Sequence, residues 1–258
     1  MSESRVRYEY DASGLATITW ADAAHGNAFN FDSGPALVDA ALRARADRAR
    51  VILLRAEGRF FSVGGDLGAM AAAEDPSAAL LELAEVGNRF VTELVRSDAI
   101  VVSAVQGVAA GIGAPFAAAA DIVIAAETAG FNLAYAKVGL SVDGGASQLV
   151  HTLGLHRVLR MALLAETLSA QEAYAAGLVA RVVPADELDA AVSAVVEQLL
   201  GGSAPSLAAN KHLVRAAAEA APEAAGRREA ESISRLVAGP DGREGVAAFL
   251  EKRAPKFS

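Results

Sequence analysis

Two segments of this chain repeat one arrangement, and that arrangement narrows the folds open to it. Val51-Ile-Leu-Leu-Arg-Ala56 is a short apolar run that leads to Gly58 and then Gly64-Gly65. Ile100-Val-Val-Ser-Ala-Val105 leads to Gly107 and then Gly111-Ile-Gly113. Short runs with so little charge are typical of buried strands. A glycine-rich bend and a helical stretch follow each one. Strands alternating with helices place the chain in the α/β class. Such a bend presents unpaired backbone N–H groups at a helix N-terminus, where an anion or a polarised oxygen is stabilised. Two bends side by side would offer two donors to one oxygen. By spacing alone, two tight connections without chemistry are the favoured reading.

The rest of the chain fits the alternation. Residues 15–20 read as a strand and 122–125 as another. A helix is expected to open at Asp32-Ser-Gly-Pro35, with proline tolerated in its first turn. Residues 77–95 carry Leu80, Leu81, Leu83, Val86, Phe90 and Leu94 at helical spacing. Ser169-Ala-Gln-Glu172 is a capping box, and Gly177 ends that helix. After Gly201-Gly-Ser-Ala-Pro205 the strand signals stop, and 207–220, 222–237 and 243–253 read as helices. The expectation is an α/β core over 1–200 and a helical unit over 201–258. A unit of ~50 residues struggles to build its own core, so it should pack on the body, on another subunit, or on both.

Composition removes several function classes. Lys plus Arg total 23 against 31 Asp plus Glu, a net charge of −8. Nucleic acid is therefore not an expected partner, since phosphate binding needs a dense basic face. There is no cysteine, which excludes disulfides, thiolate catalysis and cysteine-bound metals. Residues 99–120 carry no charge, yet they include Gln106, three glycines and Pro115. A strand, a glycine loop and a small-residue helix are expected there, not a membrane span. The first ten residues lack an apolar stretch, so a cytoplasmic location is expected. Gly111-Ile-Gly113 lacks the third glycine of a dinucleotide fingerprint, and no phosphate loop or nucleophile elbow is present. His25, His151, His156 and His212 show no metal-ligand spacing. His151 and His156 are expected on one helix, five residues apart and so on different faces.

Five ordered motifs carry a resemblance. Gly58-Arg-Phe-Phe-Ser-Val-Gly-Gly-Asp-Leu67 resembles the first oxyanion loop of the crotonase (enoyl-CoA hydratase/isomerase) superfamily. Gln106-Gly-Val-Ala-Ala-Gly-Ile-Gly113 with Asp121-Ile-Val-Ile124 is similar to its second. Phe131-Asn-Leu-Ala-Tyr-Ala-Lys-Val-Gly-Leu140 with Asp143-Gly-Gly resembles its third block. Ser169–Val179 and Arg243–Lys252 complete the pattern. The resemblance implies a ββα spiral core with a C-terminal all-helical trimerisation domain, as a homotrimer or a hexamer. It implies an acyl-CoA thioester as substrate and no separate cofactor, coenzyme A being part of that substrate. The thioester carbonyl would accept from the backbone amides of Gly65 and Ile112. Coenzyme A would lie near His25, Asn27, Val63, Asp66 and Leu67, with Phe249 and Lys252 closing over it. Arg59 and Lys211 are weaker candidates for its phosphates. Asp66 is expected to serve mainly by holding its own loop.

The chain departs from the hydratase pattern at the acids. The two positions that are glutamates in the family's hydratases fall on Pro115 and Tyr135. Neither performs their acid–base work at neutral pH. Asp143 occupies a third position at which some members carry an acid, among them isomerases and dehalogenases. The expected reaction is double-bond isomerisation through an enolate, with Asp143 as proton shuttle and Tyr135 bonding it or filling the pocket wall. Alternatives are a hydratase, a hydrolase or dehalogenase with Asp143 as nucleophile, and an acyl-CoA binding protein without activity.

Overall fold

The computed structural model describes residues 5–218 and 222–256. Its main sheet has six strands: β1 (Val6–Tyr10), β2 (Leu15–Trp20), β3 (Val51–Ala56), β4 (Ile100–Val105), β6 (Ile122–Ala126) and β9 (Arg181–Val183), in the order 1-2-3-4-6-9. Only the β1–β2 pair is antiparallel. A second sheet holds β5 (Val108–Ala110), β7 (Gly130–Asn132) and β8 (Thr167–Ser169). The uncharged stretch 99–120 thus forms two strands and a helix. The helices are α1 (Ser33–Ala46), α2 (Leu67–Ala71), α3 (Pro76–Arg96), α4 (Gly113–Ala118), α5 (Val150–Leu153), α6 (Leu155–Leu163), α7 (Ala170–Ala175) and α8 (Leu188–Leu200). Then come α9 (Ala204–Ala218), α10 (Pro222–Val237) and α11 (Pro240–Leu250). The last two residues of the expected 207–220 helix lie outside the described residues.

Strand β3 shows why the runs are apolar throughout. Ile52 and Leu54 join the large core with Trp20, Phe90 and Phe116, while Val51 and Leu53 pack under α8 with Val192 and Val196. Alternate side chains of a strand face opposite ways, so a strand covered on both faces needs apolar residues at every position. Trp20, Phe29, Phe90 and Phe116 stack in the large core, with Phe116 edge-on to Phe29 at 5.2 Å and to Phe90 at 5.0 Å.

Local signals decide several boundaries. Asp75 caps α3 through the Ser77 and Ala78 amides, and Pro76 occupies its first turn. Ser169 and Glu172 form the expected capping box at α7, and the Ser169 N–H and Arg160 hold the Glu172 carboxyl down at about 2. His151 and His156 sit on separate helices, α5 and α6, a correction to the single helix expected. Gly154 between them has φ 78° and ψ 152°, which breaks the helix.

The helices after residue 201 pack on the body. Helix α10 lies along α3, and α11 rests on α2 and on a 3₁₀ turn at Ala134–Val138. The Gly245 position approaches the Val138 backbone so closely that a Cβ there would fall 2.4 Å from its carbonyl. Helix α9 is pinned by a buried charge cluster. Lys211 Nζ lies 2.9 Å from Asp121 Oδ2 and donates to the Leu94 and Ala99 carbonyls. Arg215 Nε donates to Asp121 Oδ1 at 2.9 Å, and the Val101 amide donates to Oδ2. Burial pulls the Lys211 ammonium below its ordinary value, and the neighbouring Asp121 opposes that. Lys211 is therefore a structural residue and not a ligand for coenzyme A, a correction to that weaker assignment. No helix among the described residues is long and apolar enough to cross a membrane.

Candidate active site

The first glycine loop follows β3 and lies against residues 26–29. Phe29 N–H donates to the Gly64 carbonyl at 2.8 Å, and Asp66 N–H donates to the Phe29 carbonyl at 2.9 Å. These bonds bracket Gly65, whose own N–H has no partner among the described residues. The second loop follows β5. Gly111 N–H donates to the Asn132 carbonyl at 2.9 Å, and Ile112 then caps α4. The Ile112 amide, among the unpaired donors of a helix start, also has no partner among the described residues. The loops meet backbone to backbone. A Cβ at Gly64 would lie 3.3 Å from the Ala110 carbonyl, and one at Gly111 would lie 3.3 Å from Gly64 Cα. Both glycines have positive φ, 97° and 54°, so a side chain at either is disfavoured by conformation and crowded by the facing loop.

Both loops border a cavity of about 130 Å³. The Ile112 side chain is buried and wedged between α3 and the 143–145 turn. A Cβ at Gly87 would fall 2.6 Å from its Cδ1, and one at Gly144 would fall 2.4 Å from its Cγ1. Tyr135 and Asp143 also line the cavity, and a Cβ at Gly111 would lie 3.9 Å from the Tyr135 hydroxyl. Tyr135 lies on the Ala134–Val138 turn, which Gly139 ends at φ 70°. The chain then reverses and brings Asp143 beside it. Tyr135 Oη donates to Asp143 Oδ1 at 2.5 Å, and Asp143 is only 5% exposed. Among the described residues no other carboxylate lines this cavity. Pro115 is buried within α4 and does not line it.

The structure gathers Gly65, Ile112, Tyr135, Asp143, Val63, Leu67 and Phe249 around this one space. Val63 and Phe249 are exposed and mark its mouth. The other expected residues stand outside its wall. His25 is near the mouth, since a Cβ on the adjacent Gly26 would fall 2.7 Å from Val63. Its Nδ1 lies 2.6 Å from Asp22 Oδ1, which orients the ring. Lys252 is exposed after α11, and Arg59 lies over the Phe60 ring at 5.1 Å. Asp66 caps α2 by accepting from the Ala69 amide at 3.0 Å, the local role expected of it.

The Asn27 side chain turns inward and binds the first loop. It is fully buried, Nδ2 donates to the Glu57 and Phe60 carbonyls at 2.8 and 2.9 Å, and Oδ1 accepts from the Asp22 amide at 2.9 Å. It braces the first loop from behind, at φ 55°, a conformation asparagine tolerates better than most residues. Asn27→Ala should therefore lower stability by about 3 kcal/mol, through orphaned backbone groups and a strained φ. Urea unfolding measures this, and a change under ~1 kcal/mol would contradict it.

Met70, Leu80, Leu83 and Ile233 complete the apolar wall and were not singled out by the sequence as lining a pocket. Helical spacing marks Leu80 and Leu83 as buried, but not which space they border. Leu140 also lines the cavity, whereas Phe116 and Phe131 are buried outside its wall.

A parallel sheet with two glycine loops converging on an apolar cavity defines a class of fold and site, and comparison with known proteins identifies it. A sequence model of the enoyl-CoA hydratase/isomerase family matches residues 11–258. A probable enoyl-CoA hydratase of Rhodobacter capsulatus is 38% identical over 263 residues, covering 100% of this chain and 99% of that protein. A trans-2-decenoyl-[acyl-carrier-protein] isomerase of Streptococcus mutans is 33% identical over 262 residues, covering 100% and 99%. The crystal structure of an enoyl-CoA hydratase from Mycobacterium avium subsp. paratuberculosis superposes with a TM-score of 0.89 at 35% identity, covering 98% of each chain. The protein belongs to the enoyl-CoA hydratase/isomerase family of the crotonase superfamily, and its fold is that of the family.

Proposed function

We propose that this protein is an acyl-CoA double-bond isomerase in which Asp143 moves one proton. The observation that carries this reading is the buried Asp143 carboxylate in the cavity wall, holding the Tyr135 hydroxyl at 2.5 Å. The amides of Gly65 and Ile112 donate to the thioester carbonyl oxygen of a 3-enoyl-CoA. Asp143 takes a proton from C2, and the C–H electron pair moves through the carbonyl to form an enolate. Two preorganised amides in a dry site stabilise that oxyanion; losing one donor raises such barriers by ~2.7–4 kcal/mol. Asp143 returns the proton at C4 as the double bond settles between C2 and C3. One base on one face completes both transfers, so the proline and tyrosine at the hydratase positions are no obstacle. No cofactor takes part; coenzyme A arrives and leaves with the acyl group.

The Streptococcus mutans relative, named an isomerase, supports this direction. Conversion of 3-enoyl-CoA thioesters to 2-enoyl products, with deuterium carried from C2 of a labelled substrate to C4, is the test. Hydration without isomerisation would overturn the reading, as would ¹⁸O from water appearing in Asp143, the mark of a covalent aspartyl ester.

Tyr135 fixes the direction of the carboxylate. Tyr135→Phe removes a hydrogen bond to a charged group, about 1.5–3 kcal/mol, so kcat should fall about tenfold to a hundredfold. KM should change little, and a Tyr135→Phe enzyme with unchanged kcat would show that the ring only fills space.

The helical segment 201–258 is assigned to assembly as a trimer or a pair of trimers. The exposed Leu213 and Val214 on α9 support that assignment, because exposed apolar side chains seek cover; Leu155, Leu159 and Leu163, spaced along one face of α6, add an exposed apolar face outside this segment.

A further inference from the structure

We propose that α10 gauges the acyl group: the cavity ends at Leu80, Leu83 and Ile233, and its thioesters carry straight acyl chains of about six carbons or fewer. This deepens the proposed function and rests on its placement of the acyl site in this cavity. The direction of the cavity is read from exposure. Phe249 is 59% exposed and Val63 44%, whereas Leu80 and Leu83 are 1% exposed and Ile233 2%. The acyl chain therefore enters past Phe249 and runs toward α3 and α10. The space is about 130 Å³. An apolar cavity of about 150 Å³ elsewhere holds a single benzene ring, six carbons.

The end wall is held in place. Ser234, next to Ile233, donates through Oγ to the Ser77 carbonyl at 2.8 Å, and Ser77 Oγ donates to the Ser234 carbonyl at 2.9 Å. Asn88 Nδ2 donates to the Gly226 carbonyl at 2.9 Å, and Arg227 pairs with Glu85 at 2.6 Å. Helix α10 is thus tied to α3 at two levels. A chain that outgrows the space must break these ties or overpack the wall, and closely packed interiors resist both.

The test is calorimetric titration of the whole protein with saturated straight-chain acyl-CoAs of two to twelve carbons. Saturated thioesters bind without reacting, so the outcome does not depend on the isomerase chemistry. Affinity should rise about fourfold per methylene while the chain stays inside the cavity. It should peak near six carbons and fall by at least about tenfold at ten. Ile233→Ala removes three carbons from the end wall and should move the peak to about eight or nine. Ile233→Val removes one and should move it by about one carbon, which decides the matter if the alanine variant does not fold. Affinity that keeps climbing through ten carbons in the native protein, or a folded Ile233 variant with an unmoved peak, overturns the proposal. Binding of every thioester with equal affinity overturns it alone. Binding of none overturns the acyl-site reading as well.

Discussion

Asp143→Asn should lower kcat for 3-enoyl-CoA isomerisation by about 10²–10⁴-fold, the range expected when a positioned acid–base group is lost. The amide keeps the shape of the carboxyl and still accepts from Tyr135, but it takes no proton from carbon. Substrate binding should therefore survive, because the cavity wall and both loop amides are untouched. Titration with a saturated acyl-CoA separates lost binding from lost chemistry. Asp143→Ala should be as inactive. Undiminished turnover in either variant would place the proton transfer elsewhere. A loss of binding equal to the loss of turnover would make Asp143 a structural residue.

Asp121→Ala should be the most damaging single change to stability. It leaves the Lys211 ammonium buried with two carbonyls and only the exposed, more weakly acting Asp98 as counter-charge, and it deprives the Val101 amide of its acceptor. Breaking a buried pair by removing one partner costs about 3–5 kcal/mol. In a protein of this size that lowers Tm by roughly 10 °C. Arg215 suffers less, because it is partly exposed and keeps the Ala119 and Ala120 carbonyls. The double variant Asp121→Ala with Lys211→Met should recover part of the loss, since the stranded charge is gone. If the double variant melts no higher than the single one, the stranded charge is not the cause. Calorimetry of the two variants side by side decides it.

The parts of the fold readable in advance were those whose signals are local. Buried strands of five or six residues announce themselves by unbroken apolar runs, as in β3 and β4. The Asp75-Pro76 start of α3 and the Ser169–Glu172 capping box act within one turn. The three-residue strands β5, β7, β8 and β9 escaped notice because so short a segment has no period of its own and exists only through distant partners. Lys211 was misjudged for a similar reason. A lysine beside Asn and His on a polar helix looks solvated until the helix docks and buries it.

The candidate site divides along the same line. The glycine loops stand out because two positive-φ positions in close contact favour glycine. The Tyr135–Asp143 contact does not, since it depends on a 3₁₀ turn and a reversal at Gly139 that no period encodes. Only the family resemblance drew attention to those two positions. Asn27 was visible as a member of a motif, while its work as a brace was not, because its partners lie 30 and 33 residues further along.

In the proposed mechanism the electrophilic half of the site is built from peptide groups alone. A point substitution replaces a side chain and leaves the peptide N–H where it was, unless proline enters. The acid that partners those N–H groups is an ordinary side chain on a separate turn, open to replacement at each generation. A scaffold arranged this way can trade its proton carrier from one wall to another without rebuilding the machinery that tolerates the anion.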